Sequence, residues 1–217
     1  MYTEEKAYRL ILEDIINGKY MPGDFLLELD IASRLKMSRT PVNSALSRLE
    51  SEGYLTRMPK KGCCIPTPTP KEVNLTFSTR SFIEAESAAS AAVNIEDDEI
   101  DILDGIINKE RSIFSIKDSK CWADINMEFH FSIAKFSHNP YLERWVKQIY
   151  WHCYLYISYL NGFYLPNDLN EKELVTTYKT PEYHAEIAKA IKSRQPKEAR
   201  KLMEEHILHT YSFHFKK

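Results

Sequence analysis

Apolar residues recur at helical spacing along most of the chain. Tyr8, Ile11, Leu12, Ile15 and Ile16 mark the inner face of a first helix, from about Thr3 to Asn17, which Gly18 ends. Met21-Pro22-Gly23-Asp24 reads as a turn. A second helix covers Asp30 to Leu35. A third runs from Arg39 to Glu52, with Ser38 as its N-cap and Pro41 in its first turn, where an amide N–H has no intrahelical acceptor. Gly53 stops it. Tyr54-Leu55-Thr56-Arg57 and Cys63-Cys64-Ile65 then flank a polar turn through Pro59-Lys60-Lys61-Gly62, the pattern of a two-stranded wing. Pro66-Thr67-Pro68-Thr69-Pro70 cannot be helical throughout and reads as a short, stiff linker. Beyond it, amphipathic segments broken near 94–98, 137–140, 161–170 and 194–196 predict five or six helices and no strand.

The expected fold is therefore mainly α. Residues 1–66 form a winged helix-turn-helix with a small β wing, 67–70 a linker, and 71–217 an all-α antiparallel helical bundle. Two short helices meeting at a tight turn, the second opening on Ser38-Arg39-Thr40, have the layout of a helix-turn-helix that sets its recognition helix into DNA. Charge agrees with this. The chain of 217 residues has a formal net charge of −2, yet Arg34 to Lys61 holds seven bases against two acids, Glu50 and Glu52, a local excess of five. Phosphate neutralisation needs such an excess on the segment that meets DNA. From residue 62 onward 19 bases face 22 acids, so that part is not expected to track a polyanion.

The four cysteines, Cys63, Cys64, Cys121 and Cys153, form no CxxC pair and read as reduced thiols. No signal peptide or membrane span is visible. The expected location is the cytoplasm, with the chromosome when bound to DNA.

The stretch Ile31-Ala32, Leu35, Met37-Ser38-Arg39-Thr40-Pro41-Val42-Asn43-Ser44-Ala45-Leu46, Leu49 and Gly53-Tyr54 resembles the DNA-binding domain of the GntR family of bacterial transcription regulators. The helical remainder resembles the FCD-type sensor domain of the FadR subfamily. The resemblance implies Ser38, Arg39, Thr40 and Gly62 as DNA contacts; charge and position add Arg48 and Lys61. Asn43 stands where the family usually has an arginine that contacts the operator. Asparagine reads adenine through paired hydrogen bonds, so an altered base preference is expected. The resemblance also implies pairing of two copies on a short palindromic operator.

The sensor half carries histidines at spacings that stand out. Asn126 and His130 are four residues apart and share one helix face. His184 and His206 each lie eleven residues from Gln195, just before Pro196. An antiparallel hairpin folded there brings the two to one level, whereas a continuous helix would hold them roughly 33 Å apart. Three imidazoles and an amide oxygen would make a divalent metal site inside a bundle. The resemblance points to the same four positions, Asn126, His130, His184 and His206, with a zinc- or nickel-like ion and open positions for water or a ligand carboxylate. There Asn126 replaces the usual aspartate, which removes one favourable charge. Arg80, in Arg80-Ser81-Phe82-Ile83-Glu84, resembles an arginine that helps hold an acidic effector; the alternative is an intrahelical ion pair with Glu84.

The function expected is a non-enzymatic transcription regulator, a repressor, sensing a small carboxylate through a bound metal. Two rivals stand beside it: the same regulator with a metal-free pocket for an apolar or acyl ligand, and a metal-dependent hydrolase. No HExxH motif supports the hydrolase.

Overall fold

The computed structural model describes residues 3–59, 61–116, 119–161 and 179–215. It divides into two units, Met1–Thr69 and Pro70–Lys217. In the first, α1 (Thr3–Ile16) opens with Glu4 and Glu5 at its positive end, which favours its start. Strand β1 (Phe25–Leu26) precedes α2 (Glu28–Leu35) and α3 (Arg39–Ser51); β2 (Thr56–Met58) and β3 (Gly62–Cys64) follow. Helix α2 begins two residues before the apolar pattern predicts. Glu28 and Asp30 favour its first turn, whereas Leu29, 62% exposed, breaks the periodicity that would have marked it.

Ser38 occupies the cap position of α3 with extended backbone, but its hydroxyl makes no capping hydrogen bond. The wing gains a third strand that the sequence does not announce. The antiparallel order is β1-β3-β2, with Leu26 opposite Cys63 and Arg57 on its other side. The pairing explains Gly62. Its φ of +91° favours glycine, and a Cβ there would lie 3.2 Å from the Leu26 carbonyl oxygen. Helix α1 packs against α3, and Ala7, Ile11 and Ile15 of α1, Val42, Ala45, Leu46 and Leu49 of α3, and Leu26, Leu55 and Ile65 are all buried in this unit.

Residues 66–69 carry no regular structure, and Pro70 is already the first residue of α4 (Pro70–Asn94), a position proline tolerates. The second unit continues with α5 (Asp97–Ile116), α6 (Ser119–Phe136), α7 (Pro140–Asn161), α8 (Thr180–Lys192) and α9 (Pro196–Phe215). The break expected at 161–170 falls almost wholly outside the described residues. Helix α4 packs against α6, α7, α8 and α9. Its buried face is built largely of Ala85, Ala88, Ala89, Ala91 and Ala92, small enough for neighbouring helices to approach closely. Phe77, Phe129, Ile133, Ile187, Ile191 and Met203 fill the space between them. Helices α8 and α9 form a hairpin through residues 193–195, where Arg194 takes the left-handed conformation (φ +52°) and anchors the corner by donating to the Val93 and Ile95 carbonyls at 3.1 and 2.8 Å. Among the described residues, no helix is long and apolar enough to cross a membrane.

Candidate DNA-reading face and histidine centre

Helix α3 has two polar faces with different partners. Ser38, Arg39, Thr40 and Asn43 are exposed around its N-terminal end. Arg39 and Asn43, one turn apart, both turn to the carboxylate of Glu28 at the start of α2. Arg39 Nε donates to Oε1 at 2.5 Å and Asn43 Nδ2 donates to Oε2 at 2.6 Å. These two bonds hold the Glu28 carboxyl below its ordinary pKa. Arg57 of β2 approaches the same helix, donating to Glu50 at 2.7 Å and to the Ser47 hydroxyl at 2.9 Å. Lys61 is exposed beside Gly62 at the wing turn.

Arg48 stands apart from this group. It lies nine residues beyond Arg39, about 180° round the helix. Its guanidinium covers the Tyr8 ring at 3.7 Å and donates to Glu5 at 2.8 Å and Glu52 at 3.0 Å. The Tyr8 hydroxyl completes the contact by donating to Glu52 at 2.5 Å. Arg48 thus braces α3 against α1 from behind. Gly62 has a fold reason of its own, the close approach of β1.

In the second unit, three of the four expected metal ligands come together. His130 on α6, His184 on α8 and His206 on α9 are all buried, and their candidate ligand atoms lie within 4.8 Å of one another. His184 Nε2 is 3.3 Å from His206 Nε2, which is 3.4 Å from His130 Nε2. The α8–α9 hairpin supplies the first of these distances. The fourth, Asn126, sits buried one turn before His130. Its Nδ2 donates to the Tyr150 hydroxyl at 2.9 Å, so Oδ1 is the atom it has left to offer.

The backs of two imidazoles are held by carboxylates. His130 Nδ1 hydrogen-bonds Glu84, and His184 Nδ1 lies 2.8 Å from Glu110 Oε1. A carboxylate only accepts, so each Nδ1 carries a proton and each Nε2 turns a lone pair inward. His206 Nε2 can give a proton to at most one of these lone pairs, and its Nδ1 is a buried atom with no hydrogen-bond partner. Without an ion the centre has more buried acceptors than donors, which is costly. A dication satisfies all three nitrogens. With zinc–nitrogen bonds of about 2.0–2.1 Å, tetrahedral geometry separates two ligand nitrogens by about 3.3–3.4 Å, and the nitrogens here already stand at 3.3 and 3.4 Å. The donor set fits a borderline ion such as zinc or nickel.

Burial disfavours the charged form of two of the rings. Burial lowers the His130 pKa to about 4, against the opposing pull of Glu84. Burial and the other two imidazoles hold His206 well below its ordinary value. Burial alone would raise the Glu84 carboxyl, but Arg80 and His130 outweigh it and hold it at about 2. Arg80 Nε donates to Glu84 Oε1 at 2.5 Å, both groups being buried, and its guanidinium lies 4.7 Å from the Tyr150 ring centre. The intrahelical pair that the sequence offers as the alternative role for Arg80 is thus present. Phe129 stacks on the His184 ring at 3.8 Å between centroids.

Residues 3–65 match the family described as "Bacterial regulatory proteins, gntR family", and residues 76–209, more than half of the chain, match the "FCD domain". This chain belongs to the gntR family of bacterial regulatory proteins. Among curated relatives, the Nta operon transcriptional regulator of Aminobacter aminovorans is 29% identical over 62% of the chain and 63% of its own length. The Uxu operon regulator of Haemophilus influenzae is 26% identical over 94% of the chain and 79% of its own length. The chain thus spans less than two thirds of the first of these. Among solved structures, Escherichia coli McbR/YncC superposes with a TM-score of 0.80 over all of the chain and 98% of its own, at 20% identity, a likeness of fold.

The gntR-family assignment makes this chain a bacterial regulatory protein. Its relatives are regulators and not enzymes, which removes the hydrolase alternative. Three residues of the two sites escaped the sequence reading. Glu28 carries no signal there, because the apolar pattern places the start of α2 two residues later. Glu84 appears only as a partner for Arg80. Glu110 has a signal that can be found: it falls on the apolar stripe Leu103, Ile106, Ile107, where a carboxylate has no reason to sit unless something buried answers it.

Proposed function

We propose that this regulator reads a palindromic operator with Ser38, Arg39, Thr40 and Asn43 of α3 and with Lys61 and Gly62 at the wing, and that its FCD domain senses a small carboxylate through a divalent metal. His130, His184 and His206 would hold the ion, with Asn126 Oδ1 as a fourth donor. When bound, the metal supplies a Lewis-acidic centre with coordination positions for a carboxylate oxygen. The observation that carries the reading is the convergence of three imidazole nitrogens in a buried core, two of them braced from behind by carboxylates. Such bracing fixes ring orientation and raises ligand basicity in metal sites. Arg80, one bond from His130 through Glu84, places a guanidinium near the same centre and favours an anionic effector.

Two copies would act together, as a palindrome requires. A line of exposed apolar residues supports pairing: Leu75, Phe82 and Val93 of α4, 53%, 71% and 60% exposed, fall within about 20° of one another round the helix. Effector capture would favour one of two arrangements of the dimer and release a repressed operator.

Elemental analysis of the purified, tag-free protein is expected to find about one equivalent of zinc, nickel or a similar ion per chain. Absence of metal, even after soaking with each ion, would leave a gntR-family regulator whose sensor works without one. For the DNA face, Arg39→Ala is expected to weaken binding to a selected operator by about 1–3 kcal/mol. Unchanged affinity in an anisotropy titration would remove Arg39 from the contacts.

A further inference from the structure

Glu28 lies outside every motif considered so far, yet it is bonded to both candidate base readers. It is the first residue of α2, its side chain is one-fifth exposed, and its two oxygens are divided between Arg39 Nε and Asn43 Nδ2. This inference rests on the reading that α3 contacts bases in the major groove. We infer that Glu28 is a specificity-determining positioning residue, fixing which hydrogen-bonding atom Asn43 turns toward the DNA.

A carboxylate only accepts hydrogen bonds. Asn43 must therefore give Glu28 its amide nitrogen, which leaves Oδ1 as the outward atom. An acceptor facing the groove suits a base that shows an amino group there, adenine N6 or cytosine N4. Adenine fits best, because the second Nδ2 hydrogen is still available for adenine N7. Guanine and thymine show no donor in the groove, and their acceptor atoms would oppose Oδ1. Glu28 acts in the same way on Arg39. With Nε engaged, the guanidinium presents its paired terminal nitrogens, the edge that matches guanine O6 and N7. The arrangement therefore encodes a guanine and an amino base, and part of it works by rejecting keto bases. Glu28 also offsets the Arg39 charge, which reduces attraction to phosphate irrespective of sequence.

The test is chemical inversion of this group. In Glu28→Gln the new amide can still accept from Arg39 Nε, but its NH2 meets the Asn43 NH2. Asn43 is then expected to turn over, give Oδ1 to the glutamine and present Nδ2 to the groove. The full-length protein and its variants would be equilibrated with a duplex pool of randomised sequence, and the bound fraction sequenced. The wild-type chain is expected to select adenine or cytosine at one position per half-site, a preference that Asn43→Ala erases. Glu28→Gln is expected to select guanine or thymine there, to bind the unselected pool severalfold more tightly and to show a steeper salt dependence. Recovery of the wild-type base by Glu28→Gln, with unchanged pool affinity, would overturn the inference.

Should Glu28→Gln fail to fold by thermal melting, Glu28→Ala carries the test. Nothing then orients Asn43, and amino and keto bases should be recovered at similar frequency. A wild-type preference in that variant would also overturn the inference. Arg39→Ala and Asn43→Ala variants that both select the unaltered wild-type motif would instead sink the reading of α3 on which it depends.

Discussion

Replacing His184 by alanine is expected to lower the affinity for divalent metal more than 100-fold and to abolish any effect of carboxylates on DNA binding. The affinity of the metal-free protein for DNA should change by less than about twofold. Removing a group that merely supports a ligand costs about 10–100-fold in metal affinity, and removing the ligand itself costs more. His184 is the centre's best-anchored donor: its Nδ1 is held by Glu110 at 2.8 Å, its ring lies on Phe129, and its Nε2 is 3.3 Å from His206. Competition against a chromophoric chelator would measure metal binding, and anisotropy on a selected duplex would measure DNA binding. Unchanged metal affinity would mean that any ion lies elsewhere. Equal loss of metal and DNA binding would mean that the two units do not divide the work between them. Because a fully buried ring is lost, His184→Gln, closer in size, should accompany the alanine variant and show the same pattern.

The second large effect concerns Glu84. Glu84→Ala is expected to destabilise the metal-free protein by about 3–5 kcal/mol, the usual consequence of removing one member of a buried ion pair. Arg80 and His130 both lose the carboxylate they share. Urea titration in the presence of a chelator would measure this, and a shift below about 1 kcal/mol would refute the buried-pair account. The same groups set a pH dependence. In the unfolded chain a histidine protonates near pH 6.5, but folded His130 resists protonation down to about 4, so stability falls as pH drops through that interval. Glu84 acts in the same direction at lower pH. Its folded carboxyl stays ionised to about 2, so its contribution is complete above its ordinary value near 4.5 and is lost between there and about 2. The metal-free protein should therefore lose stability continuously from pH 6.5 downward. A flat profile between pH 6.5 and 4.5 would show that the imidazoles are not held neutral by burial.

Local signals made the recognition helix and the α8–α9 hairpin legible in the sequence. Ser38 and Gly53 bracket α3, and Pro196, just after the midpoint between two histidines, fixes where the chain folds back. Less legible was whatever depended on a partner distant in the chain. Glu84 and His130 are 46 residues apart and Glu110 and His184 are 74 apart, and no periodicity links them. Strand β1 was hidden because two residues cannot show alternation, and it exists only through its pairing with β3. Arg48 has the composition of a DNA contact, and only its rotation about α3 shows that it serves α1. The sequence names Ser38 as a hydroxyl cap, yet the backbone adopts the cap conformation without that bond.

The split between the two sides of α3 bears on how such a regulator changes targets. Val42, Ala45, Leu46 and Leu49 carry the packing, and Arg48 fastens the helix from behind, while Arg39, Thr40, Asn43 and Ser47 are exposed on other sides. Exchanges at exposed positions away from the core usually alter stability by no more than about 0.5 kcal/mol. The text that this protein reads can therefore drift quickly during evolution, or be rewritten by design, while the scaffold that presents it stays the same. Glu28 would have to be rewritten together with Arg39 and Asn43, as the third letter of one word.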